Sequence, residues 1–281
     1  MSRQEPSEEA VTGVERPRDD EFHDLQVERR DEVLVVRLNR PRQRNAMRLE
    51  LRRELIQCLL GADNDESVTA IVVTGAGDIA FSAGADLEEL AVRTPVSEMG
   101  RAAELRRELP RVAETLGKPT VAAINGLCLG GGLEFALACT VRVASEQAVF
   151  SLPEVNLGVI TGSGGSQRLP RAVGLSWAMY LLTTGESIDA ACAARIGLVT
   201  EVLPGEQLLD RAVEVARLMG SKSQMAFIGA RDAVMKSFDV DLTSGIEFER
   251  KAFGLCLGTG DKDKAVAEFF ARRKEQRPSH G

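Results

Sequence analysis

The chain has 281 residues, 44% of them hydrophobic and 27% charged, which is the composition of an ordinary globular protein with a sizeable core. Its formal net charge of −7 argues against bulk binding of nucleic acid. No apolar run approaches the length of a membrane span. Residues 1–22 are rich in charge and lack an apolar stretch, so they predict a disordered tail rather than a signal peptide.

The cysteine and histidine content limits the chemistry. The five cysteines form no CxxC pair, and the two histidines, His23 and His280, lie near the two ends. This content argues against a His/Cys metal site and against a nucleophile activated by histidine. Scattered cysteines in apolar surroundings fit a reducing, cytoplasmic setting.

The predicted elements alternate between strand, turn and helix, and become mostly helical near the end. Short apolar, β-branched runs predict strands over residues 33–38, 68–74, 120–124, 141–144, 148–151 and 198–203. Apolar residues at helical spacing predict helices over residues 46–62, 175–183, 189–196, 207–219, 224–238, 241–257 and 264–275, and another helix opens near residue 162. This order predicts an α/β fold with a core over residues 23–205 and a helical region over residues 206–281.

Three consecutive glycines, Gly130, Gly131 and Gly132, separate the strand at 120–124 from a helical stretch. Glycine permits a sharp turn and a close approach of a ligand, and a helix that starts here aims its unpaired N–H groups into the turn. The first helical turn carries one acid, Glu134, among apolar neighbours. Because a helix that is apolar all round is buried, Glu134 is predicted to be a buried carboxyl group and is the first catalytic candidate.

A second small-residue turn, Ala83-Gly-Ala85-Asp86, also leads into a helix start. If the N–H groups of the two turns converge, they form an oxyanion hole for a developing negative oxygen. Either turn alone is better explained by close packing of a helix on a strand. No Gly-Lys-Ser/Thr sequence follows them and no GxGxxG fingerprint follows an early strand, which argues against a phosphate loop or a dinucleotide site.

A second acid, Glu154, follows Pro153 and precedes an apolar stretch. A glutamate beside a proline in a loop is most often simply solvated, so this residue alone predicts little.

Taken together, several segments resemble the enoyl-CoA hydratase/isomerase (crotonase) family, and its hydratase branch most closely. They follow the family's order over about residues 25–274, and they are Asn39-Arg-Pro with Asn45-Ala46, Phe81-Ser-Ala-Gly-Ala-Asp-Leu87, Asn125-Gly-Leu-Cys-Leu-Gly-Gly-Gly-Leu-Glu134, Phe150-Ser-Leu-Pro-Glu154 and Gly164-Gly-Ser-Gln-Arg-Leu-Pro170. Thr184-Gly-Glu186 and Ala194-Arg-Ile-Gly-Leu-Val199 are similar to the family as well. Each segment is a weak indication alone, and five in the same order are a strong one.

The resemblance implies a twisted spiral of repeated ββα units and a C-terminal helical region that forms a homo-trimer or homo-hexamer. It also implies an acyl-CoA thioester as substrate, with no cofactor besides the coenzyme A that the substrate carries. On the matching positions, the backbone N–H groups of Ala85 and Gly131 bind the thioester oxygen. Glu134 and Glu154 match the two catalytic glutamates of the hydratase branch.

The remaining substrate contacts are expected from the same loops. Ala83, Asp86 and Leu87 belong to the segment that matches the family's first oxyanion turn, and they are expected to contact the substrate. Arg42 and Arg44 are candidates for binding the phosphates of coenzyme A, although a solvated basic loop explains them equally well.

Hydration of a 2-enoyl thioester places negative charge on the thioester oxygen, which two N–H donors stabilise. Water needs a base near C3, and C2 needs a proton. Two neighbouring carboxyl groups do not both ionise cheaply, so one stays protonated as the acid. We expect Glu134 to be the base and Glu154 the acid.

Two alternative functions stay open from the sequence. One is a Δ3,Δ2-enoyl-CoA isomerase, which uses Glu154 as a single proton shuttle. The other is a catalytically idle member that binds acyl-CoA or acts as a scaffold subunit.

A few positions depart from the family pattern. Thr140 stands where Asp is usual, Thr161 where Pro is common, and Leu152 where a polar residue is frequent beside the second acid. Near the end, residues 271–274 and Arg277 replace an acid, a basic pair and an aromatic residue. The change at Leu152 affects the surroundings of the acid, and the changes near the end affect contacts with coenzyme A across subunits.

Overall fold

The computed structural model describes residues 22–275. The predicted tail lies outside the described residues except for Phe22, which packs against the core, and Arg277 lies outside them too. None of the helices within 22–275 is long and apolar enough to cross a membrane.

Ten strands are present in the described chain. They are β1 (Leu25–Arg30), β2 (Val33–Leu38), β3 (Ala70–Gly75), β4 (Ala80–Ser82), β5 (Thr120–Ile124), β6 (Leu127–Leu129), β7 (Val141–Ser145), β8 (Val149–Ser151), β9 (Ile188–Asp189) and β10 (Glu201–Leu203). The ten α-helices between residues 22 and 275 are α1 (Leu49–Asn64), α2 (Leu87–Ala91), α3 (Arg101–Thr115), α4 (Gly131–Ala138), α5 (Gly165–Thr184), α6 (Ala190–Arg195), α7 (Gly205–Gly220), α8 (Gln224–Lys236), α9 (Leu242–Leu257) and α10 (Gly260–Glu275).

The strands form two sheets, and consecutive strands are divided between them. The larger sheet has the order β1-β2-β3-β5-β7-β10, and the smaller has the order β4-β6-β8-β9. Each of the pairs β3–β4, β5–β6 and β7–β8 places its first strand in the larger sheet and its second in the smaller one before the chain enters a helix. The neighbouring strands of these three units pair in parallel. This arrangement is a spiral of ββα units, as the family resemblance implies.

Alternation along the strands builds two apolar layers. In β2, Val33 and Val35 join the cluster that packs under α7, whereas Leu34 and Val36 join the larger cluster on the opposite face of the sheet. All residues of β3 and β5 are buried. Parallel strands covered on both faces are continuous apolar runs in sequence, which is why these two strands are readily predicted.

The structure corrects several predicted elements. Strands β1, β4, β6 and β9 and helix α3 are present but not predicted, and of residues 198–203 only 201–203 form a strand. Two of the missed strands have only three residues each. Helix α3 contains Pro110, a residue that disfavours a helix interior.

Candidate active site

Helix α4 carries Glu134 into the interior. All eight residues of the helix are buried, as predicted, and Glu134 is only 3% exposed. Its Oε1 atom accepts hydrogen bonds from the backbone N–H groups of Ser163, at 2.7 Å, and Gly165, at 2.8 Å. Gly165 is the first residue of α5, where the helix dipole favours a negative charge. The buried carboxylate therefore has two donors that replace water.

Glu154 lies in a short 3-10 helix, Pro153–Leu157, that directly follows β8 and the connecting Leu152. Its Oε2 atom is buried and has no hydrogen-bond partner among the described residues. Burial, reinforced by the negative charge of Glu134, raises the pKa of Glu154 to about 7. The two acids thus have different surroundings, and Glu154 retains a proton in a pH range where an ordinary glutamate has lost it.

The two glycine-containing turns touch each other. Gly84 has a φ angle of +92°, and a Cβ atom added there would lie 2.8 Å from the carbonyl oxygen of Leu129 and 3.3 Å from the nitrogen of Gly131. Only glycine accommodates both the left-handed backbone and this close approach. The nitrogen of Ala85 lies 3.8 Å from the position that a Cβ of Gly131 would take. Gly131 is the first residue of α4, so its N–H group has no acceptor within the helix.

Asn45 stabilises the turn that contains Gly84 through hydrogen bonds of its side chain and its carbonyl group. It is fully buried with a left-handed φ of 57°. Its side chain accepts a hydrogen bond from the N–H of Arg40 at 2.9 Å and donates to the carbonyl of Ala80 at 2.7 Å. The Ser82 hydroxyl in turn donates to the Asn45 carbonyl at 2.8 Å. These bonds fix the end of β4, from which the Ala83–Ala85 turn departs.

A cleft of about 1040 Å³ brings the predicted reacting groups together. Ala85, Gly131, Glu134 and Glu154 all line it, as does the segment over residues 157–163. A neighbouring cleft of about 520 Å³ shares Ala85 and Glu154 with the first and is lined by the three other residues expected to contact substrate, Ala83, Asp86 and Leu87. Within 22–275, no cluster of ligand-type side chains is suited to a metal ion.

The two arginines named from the sequence are placed differently. Arg42 and Arg44 are exposed and line neither cleft, whereas Arg40 and Gln43 of the same loop line the smaller one. Arg40 is engaged within the protein, because its Nη1 atom donates to Asp86 at 3.0 Å. A role of Arg42 and Arg44 toward coenzyme A stays a prediction.

Three arginines of the larger cleft, Arg52, Arg93 and Arg106, were not singled out from the sequence. For Arg52 a signal existed. It lies three and seven residues before Leu55 and Leu59, on the face of α1 that the apolar spacing buries, and it is only 2% exposed. A charged residue on the buried face of a helix is a candidate for function.

Known proteins resemble the chain over most of its length. A family model described as enoyl-CoA hydratase/isomerase matches residues 28–277. The short-chain-enoyl-CoA hydratase of Clostridium acetobutylicum is 37% identical over 254 residues, which cover 90% of this chain and 97% of that protein. The 2,3-dehydroadipyl-CoA hydratase of Escherichia coli is 39% identical over 250 residues, covering 89% of this chain and 96% of its own.

The fold agrees with a solved structure of the same kind. The crystal structure of an enoyl-CoA hydratase from Bacillus anthracis superimposes with a TM-score of 0.84 at 36% identity, covering 89% of this chain and 97% of that chain. At this identity and coverage, similarity of sequence and similarity of fold point the same way. The chain belongs to the enoyl-CoA hydratase/isomerase family.

Proposed function

We propose that this cleft adds water reversibly across the 2,3 double bond of a 2-enoyl-CoA thioester and forms a 3-hydroxyacyl-CoA. The observation that carries the proposal is the meeting of two glutamates with different surroundings and two backbone turns in one cleft. Relatives named hydratases, which align over about nine tenths of the chain, support the same reaction.

The two turns are suited to bind the thioester oxygen. As water adds at C3, electrons move toward the carbonyl, and its oxygen becomes an enolate oxygen. The N–H groups of Ala85 and Gly131 are the proposed donors to it, since preorganised donors stabilise charge that develops in the transition state.

The two glutamates divide the proton transfer. Glu134, whose carboxylate is held by the N–H groups of Ser163 and Gly165, takes a proton from water as its oxygen bonds to C3. Glu154, which burial keeps protonated up to about pH 7, gives its proton to C2. One water is consumed, and the dyad carries one proton before and after the step. The reverse dehydration exchanges the two roles, and no cofactor takes part.

The remainder of the substrate and the assembly belong to the same proposal. Ala83, Asp86 and Leu87 line the smaller cleft, where we place part of the coenzyme A moiety. Exposed apolar side chains on α8, α9 and α10 support assembly into a homo-trimer or homo-hexamer. Cys128, Cys139, Cys192 and Cys256 are free thiols, which is compatible with a reducing compartment such as the cytoplasm.

The test is loss of the enone absorbance of crotonyl-CoA. Glu134→Gln and Glu154→Gln should each lower kcat by ~10²-fold or more, the usual contribution of a general acid or base. Glu146→Gln is the matched control, because Glu146 is an exposed acid between the two in the chain, and its kcat should not change.

Other outcomes identify the other two functions. A Glu134→Gln variant that still converts a 3-enoyl-CoA to the 2-enoyl isomer would indicate an isomerase with Glu154 as the shuttle. A wild-type protein that turns over no acyl-CoA, while binding one, would indicate a binding or scaffold role.

A further inference from the structure

The cleft that holds the two glutamates is also lined by three arginines and by a third acid, Glu98. Arg52 comes from α1, Arg93 follows α2, and Arg106 comes from α3, and all three line the cleft with Glu134 and Glu154. A pocket for a purely hydrocarbon acyl chain gains nothing from guanidinium groups, which are costly to bury without a partner.

Arg52 is the most deeply buried of the three. It is 2% exposed and forms no ion pair within the described residues. Its Nε donates to the Met47 carbonyl at a long 3.3 Å, and its buried Nη1 has no partner in the described part of the chain. Its Nη2 lies 2.9 Å from the position that a Cβ of Gly131 would take, so the guanidinium lies beside the proposed oxyanion turn. Burial, together with Arg93 and Arg106, lowers the pKa of Arg52 to about 10, although Glu134 acts in the opposite direction.

Arg93 has spare donors of the same kind. Its Nε and Nη2 atoms are buried and have no hydrogen-bond partner between residues 22 and 275. Burial and the neighbouring Arg106 lower the pKa of Arg93. The Arg93 side chain therefore presents two buried donors that no oxygen of the described residues accepts.

The acids nearby do not satisfy these donors. Glu98 forms its ion pair with Arg106. Glu89 lies close enough to influence Arg52 and Arg93 electrostatically, yet its Oε1 accepts from the N–H of Leu49 at 2.9 Å and its Oε2 has no partner in the described chain. Arg52, which is buried, and Arg93, which is partly buried, are thus left without a hydrogen-bonded anion among the described residues.

On the basis of the proposed function, we infer that the acyl group of the preferred 2-enoyl-CoA carries a second carboxylate, and that Arg52 and Arg93 bind it. A guanidinium presents several N–H donors in a plane that matches the two oxygens of a carboxylate. Binding would supply the missing acceptors of both arginines at once. The apolar residues of the cleft, among them Leu157 and Ile160, then contact the carbons between the thioester and the acid.

The inference is tested by comparing acyl groups that end in a carboxylate with neutral acyl groups of similar length. Wild-type kcat/KM is measured for crotonyl-CoA, 2-hexenoyl-CoA, and the five- and six-carbon 2-enoyl-CoAs that end in a carboxylate. At least one acid-terminated substrate should exceed 2-hexenoyl-CoA about tenfold or more, the scale of one hydrogen bond to a charged group. Because all of them carry the same coenzyme A, its phosphates cannot produce the difference.

Variants of Arg93 assign the preference to a residue. Arg93→Met should remove the preference by lowering kcat/KM for the acid-terminated substrate alone, and Arg93→Lys should retain part of it. Arg111→Met, an exposed arginine on α3, is the matched control and should leave both values unchanged. An equal fall for charged and neutral chains in Arg93→Met would overturn the inference, since it would indicate a structural role or contact with coenzyme A.

A binding measurement separates this inference from the reaction itself. The saturated thioesters adipyl-CoA and hexanoyl-CoA cannot be hydrated, and calorimetry should give a Kd about tenfold or more lower for adipyl-CoA, with the difference lost in Arg93→Met. If crotonyl-CoA is hydrated but acid-terminated chains are neither better substrates nor tighter ligands, this inference is wrong and the hydratase proposal stands. If adipyl-CoA binds preferentially but no thioester is hydrated, this inference stands and the hydratase proposal is wrong.

Discussion

Glu134 and Glu154 have different surroundings because the main chain gives them different hydrogen bonds. Glu134 receives two N–H donors from the start of α5, while one oxygen of Glu154 is buried without any partner among the described residues. For Glu154, desolvation outweighs the hydrogen bond from its own backbone and favours the neutral acid. The division into base and acid is therefore a proposal that rests on local hydrogen bonding and not on the side chains themselves.

The pH dependence of the reaction should show this difference. In the proposed mechanism hydration needs a protonated Glu154, so kcat/KM should fall as the pH rises through its pKa of about 7. In the reverse dehydration the two glutamates also carry one proton between them, so its kcat/KM should fall in parallel. The ratio of the forward to the reverse kcat/KM should therefore stay constant with pH. The measurement uses crotonyl-pantetheine, which lacks ionising phosphates, over about pH 5 to 9. A value that stays flat or rises above neutrality would contradict the assignment.

The raised pKa of Glu154 should also make the free energy of unfolding depend on pH. The folded protein holds the Glu154 proton with a pKa of about 7, against an ordinary value of 4.5, so its ionisation costs folding free energy as the pH rises through that interval. Glu154→Gln has no proton to lose. It should increase the free energy of unfolding by about 1–3 kcal/mol near pH 8 and change it little near pH 4, by chemical denaturation. Glu146→Gln should show no such dependence, and an equal gain at both pH values would point to packing instead.

Several departures from the family pattern have local explanations. The Thr161 hydroxyl accepts a hydrogen bond from the N–H of Ser166 at 3.1 Å in the first turn of α5. Thr140 and Thr120 exchange backbone-to-hydroxyl bonds at 3.0 and 3.2 Å. Leu152 is buried in the core. These contacts join distant segments or depend on hydroxyl direction, so the sequence alone does not predict them.

At the scale of elements, the turns indicate the position of the candidate site more clearly than the helices do. The burial of α4 follows from its composition, because no polar face exists to reach water. The strands β4 and β6 are too short to show a period, yet they set the positions of Ala85 and Gly131. The glycine turns therefore indicate the candidate site in the sequence more clearly than the strands that support them do.

Gly84→Ala tests how tightly the two turns are packed. A methyl group there meets the carbonyl of Leu129 at 2.8 Å and must displace one turn from the other. We expect kcat for crotonyl-CoA to fall ~10-fold or more, because a small misplacement of reacting groups is costly. Gly174→Ala is the control: its φ is also positive, at +78°, but nothing lies within 4 Å. It should lose about 1 kcal/mol of stability from backbone strain and keep its kcat. Equal kinetics in both variants would show that the turns tolerate displacement.

At the scale of the whole molecule, the last helices leave much apolar surface uncovered. Phe253 of α9 and Phe269 and Phe270 of α10 are each at least 60% exposed. Contiguous exposed apolar side chains on a monomer indicate an interface. Their sequence spacing predicts helices, but what covers those helices in the assembly is not encoded in the spacing.

We expect light scattering after size exclusion to give the mass of a trimer or a hexamer. Phe253→Glu should lower that mass, because a charge is costly in an apolar interface. Glu146→Lys, a charge change on the exposed surface outside α8 to α10, should leave it unchanged. A monomeric wild type would contradict the proposed assembly.

The division of each strand pair between two sheets has a consequence for how such an enzyme diversifies. In the proposed mechanism, the turn after β4 supplies one N–H donor, the turn after β6 supplies the other donor and the base, and the segment after β8 supplies the acid. Each ββα repeat thus contributes a different group to the proposed mechanism. Grafting the third repeat of a relative onto this scaffold should exchange the proton donor while the grip on the thioester oxygen is inherited intact, so new reactions can arise one repeat at a time.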